Sequence, residues 1–170
     1  GGTNVIEFGK KVKVQPIGKE KVEKLYTWMV FFYIGGVRKS SKIQQGFQKL
    51  TKKQKEILDK MKYLIVSACA FLDVGYIEGI ADLLNDSWKL KKESNSLVSN
   101  SNIDELYSYA LKHGAKSGKL LGAGGGGFML FFAKPEVQPK LKERFKKLVH
   151  VPFTFENLGS QIIYYSPHLT

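Results

Sequence analysis

"GKLLGAGGGGFMLFFAKPE", residues 118–136, sets four consecutive glycines, Gly124 to Gly127, directly before a run of large apolar side chains. Glycine loses more backbone freedom on folding than any other residue. A run of four is therefore costly unless the backbone must approach something closely or turn through positive φ. The run "FMLFFA" is short, aromatic and closed by Lys134 and Pro135, as a buried strand requires. A Walker A loop would place Lys-Ser or Lys-Thr after its last glycine and then a helix, and a dinucleotide loop also leads from strand into helix. This loop instead runs from a helix and a short extended segment into a strand, so it is neither. Two readings remain open from the residues alone: backbone N–H groups forming a concave anion nest, or a turn that packs tightly against a neighbour.

Working outward, "NVIEF" and "KVKVQPI" read as two short strands joined at Gly9, and "TWMVFFYIGG" from Thr27 as a buried strand ending in a glycine pair. The stretch "VRKSSKIQQGFQKL" is polar and expected to be helical from about Ser40. "TKKQ" at Thr51 has the form of a capping box and opens a long helix with Ile57, Met61, Leu64, Ile65, Ala68 and Leu72 on one stripe. Gly75 ends it, and a further helix carries Ile77, Ile80, Leu84 and Trp88 in register. After the polar loop "SNSLVSNSN", Asn102 with Glu105 is expected to cap a helix with Ile103, Leu106, Tyr107, Ala110 and Leu111 inward, ending at His113–Gly114. A helix near Pro135–Pro139 turns Val137, Leu141, Phe145 and Leu148 inward, and "FTF" and "SQIIYYS" are expected as closing strands. Long helices beside a few strands, without regular βαβ alternation, define an α+β class.

At 170 residues the chain is long enough for a real core, and 43% hydrophobic residues argue for a globular fold. The single cysteine, Cys69, cannot close an internal disulfide and reads as a buried small hydrophobe, in keeping with a reducing compartment. The longest uncharged run, Leu120 to Ala133, is too short and too rich in glycine to span a bilayer. No signal peptide is read, and the opening "GGTNVIEF" is already strand-like, as expected either of a chain whose tag was cleaved or of an internal fragment. The net charge of +12 comes from dispersed lysines, which suit solvated helix faces or an anionic substrate better than nucleic acid. Asp104 and Glu105 read as residues of a helix start. The spacing of His, Cys and carboxylates offers no metal cluster.

The segment "GAKSGKLLGAGGGGFMLFF" (114–132) resembles the third sequence motif of the GHMP kinase superfamily, and within it the D-glycero-D-manno-heptose 7-phosphate kinases and related bacterial sugar kinases. "GGTNVIEF", "LYTWMVFFYIGGVRKSSKI", "LLNDSWKLKKESNSLVSNSNIDELYSYALKHGA" and "FENLGSQIIYY" are similar to the same branch in the same order. Val37 and Ser117 depart from its pattern. The resemblance implies a ferredoxin-like antiparallel sheet of about four strands with added helices, covered on one face. It further implies that residues 1–24 are strands continuing from a preceding kinase lobe and that 25–170 form the C-terminal domain.

By the same resemblance, the parent enzyme transfers the γ-phosphoryl of ATP, with Mg²⁺, to the anomeric hydroxyl of a heptose phosphate. Its phosphate-binding loop and catalytic aspartate belong to a lobe outside this chain, so the isolated chain is expected to be inactive. The resemblance also implies a cytoplasmic setting, in supply of surface lipopolysaccharide or capsule. The loop glycines Gly122, Gly124, Gly125, Gly126 and Gly127 are implied to close on the substrate phosphates. Arg38, Lys119 and Lys92 are the candidate substrate-binding cations, with Lys91 beside Lys92. Strands left exposed by a missing lobe suggest a homo-oligomer. The alternative reading is a stand-alone basic module for RNA or protein assembly.

Overall fold

The fold is taken from a computed structural model that describes residues 1–36 and 50–164. A hairpin of β1 (Asn4–Glu7) and β2 (Lys13–Pro16) leads into α1 (Lys19–Thr27) and β3 (Met29–Gly35). Helices α2 (Lys52–Val74) and α3 (Ile77–Ser94), a 3₁₀ turn (Ser96–Val98) and α4 (Ser101–Lys112) follow. The chain closes with β4 (Ser117–Leu120), β5 (Gly127–Phe132), α5 (Gln138–Arg144) and the two-residue β6 (Val149–His150). The β1–β2 hairpin forms its own small sheet. The other four strands form one antiparallel sheet in the order β4-β5-β3-β6.

The central strands β3 and β5 pair from Met29↔Phe132 to Tyr33↔Phe128, and the register then shifts to Gly35↔Gly127. Strand side chains alternate faces. Val30, Phe32, Leu120, Met129 and Phe131 therefore share one face and pack with Trp88, Val98, Ile103, Tyr107, Ala110, Leu141 and Phe145 in the main core. The opposite face is also covered. Leu130 and Phe132 join Ile77 and Ala81, with Leu25, Trp28, Phe31 and Leu84 against them. Coverage of one face alone is thus corrected to a large core on one side and a smaller one on the other.

Local signals explain most elements. Thr51 closes the expected capping box with Gln54, its Oγ1 accepting the Gln54 N–H at 3.1 Å and its own N–H donating to Gln54 Oε1 at 3.0 Å. Gly75 ends α2 in the left-handed conformation. Only Ile57 of the long α2 stripe is buried, and Ile65 is exposed, because α2 meets α3 and lies outside both cores. Cys69 on the same helix is half-buried rather than fully enclosed.

Four other expectations change. Residues 19–24 are helical, because the "KEKVEKLY" stretch sets Val22 and Leu25 on one helix face, where Val22 is buried and Leu25 packs against the smaller core. The N-cap of α4 is Asn100, whose Oδ1 accepts the Ile103 N–H at 3.1 Å; the 3₁₀ turn brings the chain into the helix two residues before Asn102. "FTF" pairs with no strand; Phe153 instead packs edge-on against Phe31 and Tyr26. In "SQIIYYS", residues 160–164 are not a strand. Ile162, Ile163 and Tyr164 are exposed, because β6 takes the free edge of β3 for only two residues and offers no ladder to extend. The helix expected from Ser40 lies outside the described residues.

Candidate functional site

The glycine loop links β4 to β5 at one end of the sheet, and the hairpin closes where Leu121 N–H donates to the Phe128 carbonyl at 2.9 Å. Two neighbours brace it. The Gly125 N–H donates to the Val98 carbonyl at 3.0 Å. On the other side lies the end of β3. A Cβ on Gly126 would come within 2.7 Å of the Gly35 carbonyl oxygen and 3.0 Å of the Gly36 Cα. A Cβ on Gly124 would meet the Val98 Cα at 2.7 Å. These two glycines are therefore required by the chain's own backbone, which packs to a distance that no side chain permits.

Gly122 differs. It is exposed, at φ +79, and, its chain neighbours aside, no heavy atom of the described residues lies within 4 Å of the place where its Cβ would stand. Its carbonyl accepts a hydrogen bond from Lys91 Nζ at 2.6 Å. Lys91 stands in the last turn of α3, and that turn is tied down twice. Ser94 Oγ donates to the Lys91 carbonyl at 2.7 Å, and Gln54 Nε2 donates to the Ser94 carbonyl at 3.1 Å. The base of α2 thus fixes the end of α3, which fixes the loop.

Lys119 enters from β4. Opposite Leu130 in register, it lies on the sheet face of the smaller core, and it is half-buried. Burial lowers its ammonium below the usual lysine range. Burial and then the nearby Lys119 charge bring Lys91 down to about 8. Among the described residues neither lysine has a carboxylate partner, whereas Lys92, Lys116 and Lys134 are each paired with one.

The sequence-predicted cations therefore separate. Lys119 and the glycines come together. Lys92, adjacent to Lys91, points elsewhere: its Nζ lies 2.9 Å from Asp104 Oδ1 and 5.8 Å from the Trp88 ring centroid. Asp104 also accepts from Ser99 Oγ, so this carboxylate anchors the start of α4 and holds Lys92 away from the loop. Arg38 lies outside the described residues; the described end of β3 that leads to it, Gly35–Gly36, touches the loop at Gly126. Lys91, which the sequence offers only together with Lys92, is the cation at the loop. Val98 was missed as a brace, although the apolar pair Leu97–Val98 inside "SNSLVSNSN" was its signal.

The described residues contain no group of three or more His, Cys, Asp or Glu side chains that could hold a metal ion. Nor do they include a helix long and apolar enough to cross a membrane. The described site is thus a backbone loop flanked by two amines.

An antiparallel sheet covered by helices, with a braced glycine loop at its end, matches a known class. Residues 67–150 match the profile of the family described as GHMP kinases C terminal, and the chain carries this GHMP kinase C-terminal domain. It is 31% identical to the D-glycero-alpha-D-manno-heptose 7-phosphate kinase of Campylobacter jejuni, over 86% of this chain and 45% of that protein. Among solved structures, a protein of Listeria innocua superposes with a TM-score of 0.74 at 17% identity, covering 86% of this chain and 42% of that one. A putative sugar kinase from Campylobacter jejuni superposes with a TM-score of 0.62 at 28% identity, covering 90% of this chain and 45% of that one. The chain spans less than half the length of the curated relatives it matches.

Proposed function

We propose that this chain is the C-terminal half of an ATP-dependent sugar kinase that phosphorylates a heptose phosphate, D-glycero-D-manno-heptose 7-phosphate, at its anomeric hydroxyl. The observation that carries the reading is the loop at 121–126, braced by Val98 and Gly36 and flanked by Lys91 and Lys119. Phosphoryl transfer depends mainly on positioning and on neutralising charge, and this end of the sheet supplies both. The similarity to the Campylobacter heptose 7-phosphate kinase supports the choice of acceptor. ATP and Mg²⁺ belong to the complete enzyme. The described residues fit the phosphate but offer no ligand set for the metal, so metal binding and the catalytic base are assigned to the other lobe.

In this reading residues 25–170 form the C-terminal domain, and residues 1–24 continue the preceding lobe. The β1–β2 hairpin supports that division. It carries exposed Ile6, Phe8, Val12 and Val14, a surface suited to docking on another lobe or, without it, on a second copy. The setting is the cytoplasm, in supply of heptose for surface polysaccharide. A nucleic-acid module is disfavoured, because both faces of β3 and β5 are packed and leave no aromatic platform for bases.

The test is ATP turnover by this chain and by the same sequence joined to a kinase N-terminal lobe, each with heptose 7-phosphate and with unphosphorylated heptose. Turnover that requires both the lobe and the heptose 7-phosphate is expected. Turnover by the 170-residue chain alone, or equal use of the unphosphorylated sugar, refutes the reading.

A further inference from the structure

We propose that Lys91 and Lys119, beside Gly122, form the binding site for a phosphate group, the chemistry common to a sugar phosphate and to the phosphates of a nucleotide. Of the half-buried lysines among the described residues, Lys21 and Lys92 each meet a carboxylate, Asp73 and Asp104. The two half-buried amines at the loop have none among the described residues. That distribution is the reverse of what stability alone selects, because an unpaired charge costs more where water is partly excluded, and two like charges add repulsion.

A phosphate dianion resolves the arrangement. An ammonium has three N–H donors. Lys91 is given one hydrogen bond, to the Gly122 carbonyl, which aims the amine along the loop. Lys119 is given none. The remaining donors of both amines are available to phosphate oxygens, and charge-assisted bonds of that kind are the strong ones. The open space beside Gly122 leaves room for the ligand. The Gly122 carbonyl would itself repel an anion, and the ammonium bonded to it is what makes the position favourable.

The proposal rests on the kinase reading only for the molecule that carries the phosphate, and the two can fail separately. Binding of sodium phosphate to the 170-residue chain is measured by calorimetry at pH 7, with sodium chloride at matched ionic strength as the blank. Lys91→Met and Lys119→Met are each expected to weaken binding about tenfold or more, as the loss of a charge-assisted contact implies. Lys140→Met removes the same charge from an exposed position on α5 and is expected to leave binding unchanged. Should a methionine variant fail to fold, ¹⁵Nζ and ¹³Cε shifts of the wild-type lysines still report: phosphate should move the signals of Lys91 and Lys119 and not that of Lys140. Competition names the source. Displacement by heptose 7-phosphate but not ATP supports a site for the acceptor's own phosphate, and the reverse supports a site for the nucleotide. No phosphate binding at tens of millimolar, equal binding by the variants, or shifts spread over the exposed lysines overturns the site and leaves the kinase reading to the turnover assay.

Discussion

Alanine at Gly124 and at Gly122 separates glycines that the architecture demands from a glycine that it leaves free. At Gly124 the backbone stands at φ +128, and a Cβ would lie 2.7 Å from the Cα and 2.9 Å from the carbonyl oxygen of Val98. Both are backbone atoms of a turn that also receives the Gly125 N–H, so neither can swing aside like a side-chain tip. A strained conformation costs on the order of 1–3 kcal/mol, and forcing extra volume into a packed site costs about 1–3 kcal/mol more. The alanine returns about 0.4–1 kcal/mol by stiffening the unfolded chain. A net loss of about 3 kcal/mol lowers the thermal midpoint by roughly 6–12 °C in a chain of this size. At Gly122, with φ +79 and no close contact among the described residues, strain of about 1–2 kcal/mol is offset by the same return, and the net loss of about 1 kcal/mol lowers the midpoint by roughly 2–4 °C. Calorimetric melts of the two variants and the parent, in one buffer, give the comparison directly. If Gly124→Ala melts within about 2 °C of Gly122→Ala, close approach to Val98 is not the reason for a glycine at 124.

Two further outcomes follow from buried polar and charged groups. Ser117 is fully buried, and its hydroxyl has no hydrogen-bond partner among the described residues, so Ser117→Ala should be neutral or stabilising by up to about 1 kcal/mol; a loss of that size in urea unfolding would show a bond that this account lacks. Lys91 has its folded-state pKa lowered from 10.5 to about 8. Below about 8 it is charged in both states and its desolvation opposes folding. Between about 8 and 10.5 only the unfolded chain keeps the proton, so this group makes stability rise with pH. The wild type should therefore gain stability relative to Lys91→Met between about pH 8 and about pH 10.5; parallel pH curves would refute it.

The sequence was most legible where a short-range rule acts alone. Thr51 and Gln54 are three residues apart and needed nothing else to make their capping box. Leu141 and Phe145 repeat at helical spacing and are buried as expected. The chain was least legible where an outcome depended on a partner element. The α2 stripe is apolar at the right spacing, but the cores form against α3, α4 and α5, and α2 receives only the remaining contact. Ile162 and Ile163 have strand-like composition without an edge to pair with. Composition records what a segment can do, and the ladder or face it meets decides whether it does so.

The choice between Lys91 and Lys92 shows the same limit at the scale of one residue. Consecutive helix positions are turned by about 100°, so two adjacent lysines at the end of α3 leave the helix in different directions. Lys92 lies four residues after Trp88 and follows the Trp88 face, over the indole ring and toward Asp104 on α4. Lys91, three residues after Trp88, leaves the helix on the other side of the indole and reaches the Gly122 carbonyl. Which of the two meets the loop is set by where the indole packs, and Trp88 is fully buried in the main core. An arrangement that looks like a question about lysines is therefore decided by a tryptophan. Asp104 enforces it from the other side, because an ion pair with one lysine leaves the other as the unpaired charge at the loop.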